Sequence, residues 1–368
     1  MGSPMRQVVI KLQSRCNLSC DYCYVYESID QSWRSQPITM SAATVDQLGR
    51  RIDEHASRYH LPALQIVLHG GEPLLAGHDV VDRSLATLSA AAPPYTGISF
   101  SLQTNGILLD EGFLDIFRRY EVRVGVSLDG GAAATDRHRV YANGRGSYDR
   151  ITAGLELLTA HPEIYGGLLC TIDVRNDPVD VYEALTAFGP PMIDLLLPHG
   201  NWTNPPPRPD GAMSYAEWLI RIFDVWYDEP AERTRIRLFE SIIRRLLGGT
   251  TMTEAIGGEM HGIVTIETDG SYEQSDALKT TVEGGPATGL HIDSQSFDDV
   301  LEYLEIAAPV QLSATCQDCR LVTVCGGGLR AHRFRTDNGL DNPSVYCADL
   351  MSLIDHIESR VRNTLVTT

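Results

Sequence analysis

Short apolar runs alternate with amphipathic segments throughout the N-terminal half of the chain. Each run has the length of a strand and is near-continuously apolar, which is typical of parallel strands covered on both faces. In the first intervening segment, Ser41 can cap a helix that carries Val45, Leu48 and Ile52 at helical spacing. The predicted strands start near Val8, Leu64, Ile98, Val122, Gly167 and Met192. This alternation predicts an α/β fold, a partial (β/α)6 barrel over residues 6–210.

The pattern changes after the predicted barrel. Two amphipathic helices, Tyr215–Tyr227 and Arg233–Leu247, are predicted in a connecting segment over residues 211–250. At the start of the chain, residues 1–5 are interpreted as an N-terminus with a cloning remnant, in which Met5 is the native start.

The remaining residues, 251–368, begin with a predicted β-hairpin. The segment Thr265–Glu273 contains an Asp269-Gly270 pair, which is typical of a hairpin turn. A final helix is predicted over Leu350–Val361. We expect these elements to form a second, C-terminal domain.

Composition limits the classes of protein that the chain can represent. Of its 368 residues, 43% are hydrophobic and 21% are charged, as in ordinary globular proteins. No apolar run approaches the ~20 residues that a membrane helix requires, and no signal peptide is visible. The formal net charge of −18 argues against a nucleic-acid groove as the main surface. We therefore expect a cytoplasmic protein that binds neither membrane nor nucleic acid.

The first predicted strand leads into three closely spaced cysteines, Cys16, Cys20 and Cys23, in a C-x3-C-x2-C array. Three thiolates from one loop can hold three corners of a cubane iron–sulfur cluster, which usually takes four. One iron would then keep an open coordination position, and open positions in metal sites are typical of chemistry rather than structure. A redox disulfide and a zinc knuckle are the alternative interpretations.

A second group of cysteines lies near the C-terminus: Cys316, Cys319, Cys325 and Cys347. Four thiolates with these gaps can fill all sites of a cubane cluster or bind a zinc ion, and spacing alone leaves both open. Cys170 stands alone in a predicted strand and is expected to be a small buried residue. The tight grouping favours metal ligation in a reducing cytosol over disulfides.

Polar residues and glycines collect where the predicted strands end, and α/β folds bind their ligands at that edge of a parallel sheet. The Gly70-Gly71 pair would let the backbone approach a ligand closely and leave N–H groups available to it. For His69 the alternative is a structural hydrogen bond, and for Asp129 a helix or turn cap. The candidates at these strand ends are His69, Gly70, Gly71, Glu72, Gln103, Thr104, Asn105, Ser127, Asp129 and His199.

The cysteine triplet, with Tyr22 directly before its third cysteine, resembles the signature of radical S-adenosylmethionine (SAM) enzymes. The resemblance implies that SAM binds the open iron of a 4Fe–4S cluster through its amino and carboxylate groups. One electron then cleaves SAM to methionine and a 5′-deoxyadenosyl radical, which abstracts a hydrogen atom from a substrate. The family also implies that the Gly70-Gly71-Glu72 segment contacts the methionyl amino group. Ser127, or next to it Asp129, would contact the ribose, and Arg139 the carboxylate.

The order of triplet, barrel, hairpin and second cysteine group resembles radical SAM enzymes with a SPASM extension, the auxiliary-cluster domain of peptide-modifying members. This likeness favours iron–sulfur over zinc at the second group. A full SPASM domain holds two auxiliary clusters. Here Ser275 and Leu329 stand at two of its further cysteine positions, and nothing near His261 supplies the remaining pair. We therefore expect one auxiliary 4Fe–4S cluster, bound by the four C-terminal cysteines, which relays or accepts electrons.

Longer strings resemble one branch of this family, the FxsB-type maturases, which form three-residue cyclophanes in ribosomal precursor peptides. The strings are H-G-G-E-P-L-L-A-G, L-P-H-G-N-W, C-G-G-G-L-R-A-H-R-F and D-N-P-S-V-Y-C. The likeness implies abstraction of a β-hydrogen and attack of the carbon radical on an aromatic ring two residues earlier. The auxiliary cluster would take the surplus electron, and Asp276, His69 and His199 are candidates for the base that takes the ring proton. The expected electron donor is a flavodoxin- or ferredoxin-type reductant.

Other outcomes share the same radical start: a thioether crosslink, an epimerised residue, or formylglycine in a sulfatase. Asp276 aligns with the carboxylate that acts as a base in the sulfatase-maturing relatives, although a surface carboxylate is an equally good interpretation. The alternative from another class is a non-catalytic electron carrier. The three-ligand site argues against it, because a carrier gains nothing from an open iron beside a SAM pocket.

Overall fold

The computed structural model of the protein describes residues 4–231, 233–258, 262–306 and 311–367. Residues 1–3 of the interpreted cloning remnant and His261 lie outside this range. The strands are β1 (Gln7–Gln13), β2 (Ala63–Gly70), β3 (Gly97–Thr104), β4 (Arg123–Ser127), β5 (Tyr165–Thr171), β6 (Met192–Leu196), β7 (Arg235–Ile236), β8 (Ile263–Ile266), β9 (Ser271–Glu273) and β10 (Ala287–His291).

The α-helices and the short 3-10 helices alternate with these strands along the chain. The α-helices are α1 (Ala42–Tyr59), α2 (His78–Ser89), α3 (Glu111–Arg119), α4 (Ala132–His138), α5 (Tyr148–Thr159), α6 (Pro178–Thr186), α7 (Tyr215–Asp228), α8 (Arg237–Leu246), α9 (Phe297–Ile306), α10 (Ala314–Gln317), α11 (Val322–Cys325) and α12 (Cys347–Thr367). The 3-10 helices are Ser32–Arg34, Pro73–Ala76, Asp276–Thr280 and Arg330–Arg333. Among the described residues, no helix is both long enough and apolar enough to cross a membrane.

The chain divides into two compact units, of which the first contains residues 1–127, 138–166 and 261–309. Its strand order is β10-β9-β8-β1-β2-β3-β4. β1 pairs in parallel with both β2 and β8, and the parallel pairing continues through β3 to β4. The hairpin strands β8 and β9 pair antiparallel, as do β9 and β10. The parallel strands and their connecting helices confirm the α/β prediction.

Local sequence accounts for the first helix of this unit. The Ser41 hydroxyl accepts a hydrogen bond from the Thr44 N–H at 3.0 Å, so Ser41 caps α1 as predicted. The residues that were predicted to share the inward face of α1 are all buried: Val45, Leu48 and Ile52. Burial of this apolar face holds the helix in the unit.

The second unit contains residues 128–137, 167–260 and 310–368. This unit contains β5 from Gly167 onward. β5 pairs in parallel with β6, and β6 pairs in parallel with β7. The Asp177 side chain caps α6 by accepting N–H groups of its first turn. The long helix α12 packs against α7 and α8.

The compact units differ from the predicted domain limits. Residues 251–368 are divided between the two units, because β8 pairs with β1 from Gln7↔Ile263 to Ile10↔Ile266. The hairpin itself is confirmed, with Gly270 in its turn at a φ of 98°, a conformation that favours glycine.

Two helices have other limits than the sequence predicts. The helix expected from Arg233 begins at Arg237, because Arg235–Ile236 is extended and pairs with β6. The last helix begins at Cys347 rather than Leu350, so a predicted metal ligand stands at its first position.

Candidate active site

The loop after β1 gathers the three N-terminal thiols. Cys20 and Cys23 both lie close enough to Cys16 to interact with it electrostatically. The Leu18 N–H lies 3.4 Å from Cys16 Sγ, and backbone N–H groups of the following turn donate to Cys23. Burial raises the pKa of the Cys16 thiol to about 12. A bound metal would offset the cost of ionising this buried thiol. Three gathered thiols with N–H donors fit the three-cysteine side of a cubane cluster.

The Gly70-Gly71 pair fastens this loop to the end of β2. A Cβ on Gly71 would lie 1.8 Å from the Tyr26 hydroxyl, so a larger residue would push the loop away. The Gly71 N–H donates to the Gln13 carbonyl at 2.8 Å, and the Glu72 N–H donates to the Arg15 carbonyl at 2.9 Å. The expectation that these N–H groups are available to a ligand is therefore wrong. The glycines are required by close packing of the protein on itself.

Glu72 joins the ends of β2 and β3 from a fully buried position. One carboxylate oxygen accepts hydrogen bonds from the Leu74 N–H at 3.0 Å and the Thr104 hydroxyl at 2.7 Å. The other accepts from the Asn105 N–H at 2.8 Å. Burial raises the pKa of Glu72 to about 7, although these three donors act in the opposite direction. The contact of Glu72 with SAM stays a prediction, and its present bonds show a positioning role.

We expect Glu72→Gln to lower the free energy of unfolding by ~1–3 kcal/mol, because the amide nitrogen would face a buried donor. The deficit should depend on pH. Folding raises the Glu72 pKa above its ordinary value of 4.5, so the wild type is favoured below that pH and loses the advantage as the pH rises through about 7. Urea unfolding of both proteins should therefore show the stability difference falling as the pH rises from about 4.5 to about 7. A difference that is constant with pH would contradict this account.

The other polar residues at the ends of β3 and β4 are connected to each other and to the cysteine loop. Gln103 Nε2 donates to Ser127 Oγ at 2.9 Å. Asn105 Nδ2 donates to Asn17 Oδ1 at 2.8 Å and lies 3.8 Å from Cys16 Sγ. The structure thus brings Asn105 to the cysteine loop and pairs Gln103 with Ser127 at the neighbouring strand ends.

Arg139 is buried beside the same loop. Its guanidinium lies 5.6 Å from the ring centroid of Tyr22, within cation–π range. The neighbouring His138 Nδ1 lies 2.7 Å from Asp21 Oδ1, which ties the two loops together. Arg139 also lowers the pKa of Cys23, against the larger effect of burial. A buried cation therefore lies near Tyr22 and Cys23.

Lys11, Lys279, Glu267, Glu273 and Asp276 form a buried lysine–carboxylate network in the same unit. Lys11 Nζ lies 2.7 Å from Glu267 and 2.8 Å from Asp276. Lys279 Nζ lies 3.0 Å from Glu273 and 3.3 Å from Glu267. The Asp276 side chain is only 12% exposed, so its interpretation as a surface carboxylate is wrong.

Two carboxylates of the network, Asp276 and Glu273, have pKa values shifted in opposite directions. Burial opposes ionisation of Asp276, but Lys11 and Lys279 outweigh it and hold the Asp276 pKa below its ordinary value. Burial raises the pKa of Glu273 to about 8, and the Glu267 charge adds to that rise. The three carboxylates approach each other as metal ligands would, but the cations among them are the two lysine ammonium groups. Asp276 is thus the ionised member and Glu273 the member that holds a proton.

His69 lies opposite Lys11 in the β1–β2 register. Its Nδ1 is buried and has no hydrogen-bond partner in the described part of the chain. Burial lowers the His69 pKa, and the Asp276 charge only partly offsets this effect. His69 is therefore a neutral, buried imidazole near Asp276.

The remaining predicted residues, Asp129 and His199, belong to the second unit. Asp129 Oδ1 accepts the Thr171 N–H at 3.0 Å, which connects Asp129 to the end of β5. The His199 ring packs 5.8 Å from the His332 ring. Cys170 is buried in β5, as predicted.

The four C-terminal cysteines gather in the second unit. Cys347 interacts electrostatically with Cys316 and Cys319, and Cys325 interacts with Cys347 and Cys316. The Leu321 N–H lies 3.4 Å from Cys319 Sγ. The arrangement therefore offers four thiolates and backbone donors to one metal group.

Sequence reasoning missed most of the lysine–carboxylate network. It singled out Asp276 but not Lys11, Lys279, Glu267 or Glu273. The available signal was Lys11, a cation inside the apolar run of the first predicted strand. Charged residues inside a predicted core strand indicate partners that are distant in sequence.

Comparison with known proteins gives a family and several relatives. Residues 10–172 match the radical SAM superfamily. The chain is 22% identical to a cysteine-type anaerobic sulfatase-maturating enzyme of Clostridium novyi, over 93% of this chain and 92% of the relative. It superposes on anSMEcpe with bound AdoMet and Cp18Cys peptide at a TM-score of 0.83 and 20% identity, covering 98% and 99% of the two chains. It also resembles Streptococcus suis SuiB bound to its precursor peptide SuiA, at a TM-score of 0.56 and 13% identity, covering 89% and 72%.

Proposed function

We propose that the chain is a radical SAM enzyme that forms a three-residue cyclophane in a ribosomal precursor peptide; its residues 10–172 match the radical SAM superfamily. The crosslink would join an aromatic ring to the β-carbon of a nearby side chain. At the coarser level, the chain is a radical SAM enzyme that modifies a peptide or protein.

The observation that carries the proposal is the position of Asp276. When a carbon–carbon bond closes onto an aromatic ring, the ring loses a proton. The enzyme therefore needs a base close to the bound substrate. Asp276 is an ionised carboxylate that lies 2.8 Å from Lys11 Nζ. Lys11 is part of β1, the strand that leads into the three-cysteine loop. Neutral His69 on the adjacent strand is the second candidate base.

The residues present fit the SAM-binding cluster that the superfamily uses. The cysteine loop would hold it through Cys16, Cys20 and Cys23. With SAM bound, the group would supply the radical chemistry that removes a hydrogen atom from the substrate. Arg139 would bind the SAM carboxylate, and Ser127, the hydrogen-bond partner of Gln103, would bind its ribose.

Two features support the cyclophane subtype. The strings around His69, His199 and Cys325 resemble the FxsB-type maturases. In addition, Ser275 and Leu329 replace cysteines that a two-cluster SPASM domain would need. The four C-terminal thiols then hold one auxiliary cluster, whose closed ligand set leaves no iron for direct substrate binding.

Formylglycine formation is the second candidate function. It is favoured by the likeness to anaerobic sulfatase-maturating enzymes over almost the whole chain. A base in the position of Asp276 would also serve that reaction. This candidate requires a cysteine or serine at the modified position, which a cyclophane does not.

A comparison of two substrates tests the proposal. The reconstituted enzyme is incubated anaerobically with SAM, reductant and either the precursor peptide encoded beside its gene or a sulfatase-type peptide with cysteine or serine at the target position. We expect the precursor to lose two hydrogen atoms within a three-residue segment, and the sulfatase-type peptide to stay unchanged. Formylglycine on the second peptide with no change in the first would contradict the proposal. A Cys16→Ala variant is the control and should modify neither.

A further inference from the structure

Three consecutive glycines follow Cys325 in a conformation that other residues rarely adopt. Gly326, Gly327 and Gly328 have φ angles of 64°, 81° and 69°, all in the left-handed region. A Cβ on Gly326 would lie 1.8 Å from the Gly258 nitrogen. Both the left-handed backbone conformation of the run and the close packing of Gly326 on Gly258 therefore require glycine.

The carbonyl groups of this run converge on one side chain. Arg333 is 1% exposed, and its Nη2 donates to the Gly326 carbonyl at 3.0 Å and the Gly328 carbonyl at 2.9 Å. Its Nε donates to the Gly327 carbonyl at 3.1 Å. This buried guanidinium thus has three carbonyl partners in the glycine run.

The N–H groups of the same peptides point the other way. In a trans peptide the C=O and N–H directions oppose each other. The Gly327 and Gly328 N–H groups donate to the Cys325 thiol, and Gly328 N–H also lies 3.1 Å from the Cys325 carbonyl. Two peptide groups thus connect the Arg333 cation to the Cys325 sulfur, each with its carbonyl on the guanidinium and its N–H on the thiol.

We propose that Arg333 tunes the reduction potential of the auxiliary cluster through these two peptide groups. Hydrogen bonds in a chain polarise one another, so a guanidinium on the carbonyl strengthens the N–H···S bond at the far end of the peptide. Hydrogen bonds to cluster sulfurs are among the factors that set the potential. Reduction adds negative charge at the sulfurs, and Arg333 therefore favours the reduced cluster. Arg333 is a positioning and tuning residue that contacts no substrate.

The inference rests on the auxiliary cluster of the proposed function, and iron analysis separates the two. About eight irons per wild-type chain indicate two cubane clusters. If the wild-type protein carried only about four irons, the auxiliary cluster itself would fail and the tuning role with it. The potential is measured in a full-length chain whose Cys16, Cys20 and Cys23 are replaced by alanine, so that the auxiliary cluster gives the only EPR signal.

In this background we expect Arg333→Met to lower the midpoint potential of the auxiliary cluster. The expected change is a tenfold or larger fall in the equilibrium constant for one-electron reduction, equivalent to about 59 mV. Arg335→Met is the matched control, because Arg335 is exposed and pairs with Asp337 rather than with the glycine run. It should leave the potential unchanged.

An Arg333→Met protein that binds its full iron and keeps the wild-type potential would overturn the proposal. If that variant binds no auxiliary cluster, Arg333→Lys becomes the decisive protein, since it keeps the charge but cannot reach all three carbonyls. A smaller fall in potential is then expected, together with altered proton hyperfine couplings at the cluster. An unchanged potential in Arg333→Lys, or failure of both variants to bind iron, would reduce Arg333 to a scaffold residue.

Discussion

Replacing Asp276 with asparagine is expected to slow peptide modification by about 10²- to 10⁴-fold, the usual contribution of a general base. The carboxylate is buried and held ionised by Lys11 and Lys279, whereas the amide cannot accept a proton at neutral pH. Cleavage of SAM in the absence of peptide should persist, because the variant leaves the cysteine loop intact. The rates are measured by mass spectrometry of the peptide and by chromatography of 5′-deoxyadenosine.

The matched control for this prediction is Asp293→Asn. The Asp293 side chain is 74% exposed and its ion-pair partner is the surface residue His291. Its replacement should leave the rate within about twofold of wild type, as a change remote from the chemistry does. If Asp276→Asn also kept a rate within tenfold of wild type, Asp276 would be excluded as the base and His69→Gln would be the next variant to measure.

Replacing Lys11 with methionine is expected to destabilise the protein by ~3–5 kcal/mol, the cost of leaving a buried charge without its partner. Lys11 is 2% exposed, and its ammonium lies within 3 Å of both Glu267 and Asp276. The change is measured by urea unfolding at pH 7. It should also raise the pKa of Asp276, because the largest stabilising charge on that carboxylate is removed.

A double variant separates loss of charge compensation from loss of packing. Adding Glu267→Gln to Lys11→Met removes one of the two stranded carboxylates, and we expect it to recover part of the lost stability. Arg119→Met is the surface control; Arg119 is 57% exposed and pairs with Asp82, so its loss should cost at most ~1 kcal/mol. Equal costs for Lys11→Met and Arg119→Met would contradict a buried network.

The N-terminal part of the fold could be predicted because its information is local. Apolar runs of strand length and a capping residue such as Ser41 each determine an element within a few residues of themselves. The two cysteine groups could be found for the same reason, since their ligand spacing is a property of the sequence.

The limits of the prediction lie where distant segments meet. The pairing of β8 with β1 joins residues 263–266 to residues 7–10, and no local pattern encodes that parallel register. The same pairing brings Lys11 to Glu267 and Asp276, so the lysine–carboxylate network could not be predicted without it. The role of Arg333 could not be predicted from the sequence either, because its contacts depend on the left-handed conformation of the glycine run.

The Gly70-Gly71 pair shows how a correct position can carry a wrong reason. Its place at the end of β2 was predicted. N–H groups here were expected to be available to a ligand, but those of Gly71 and Glu72 donate to carbonyls of the chain that enters the cysteine loop. Glycine at a strand end permits close approach of any neighbour, and here the neighbour is the protein itself.

The measurement that tests the central claim most directly is the fate of deuterium in a labelled precursor peptide. One peptide carries deuterium on the ring of the core aromatic residue, and the other on the β-carbon of the residue to be crosslinked. A cyclophane requires the product to lose one deuterium from each, with the β-deuterium appearing in 5′-deoxyadenosine. A modified peptide that keeps all its ring deuterium would contradict the crosslink, whatever happens at the β-carbon.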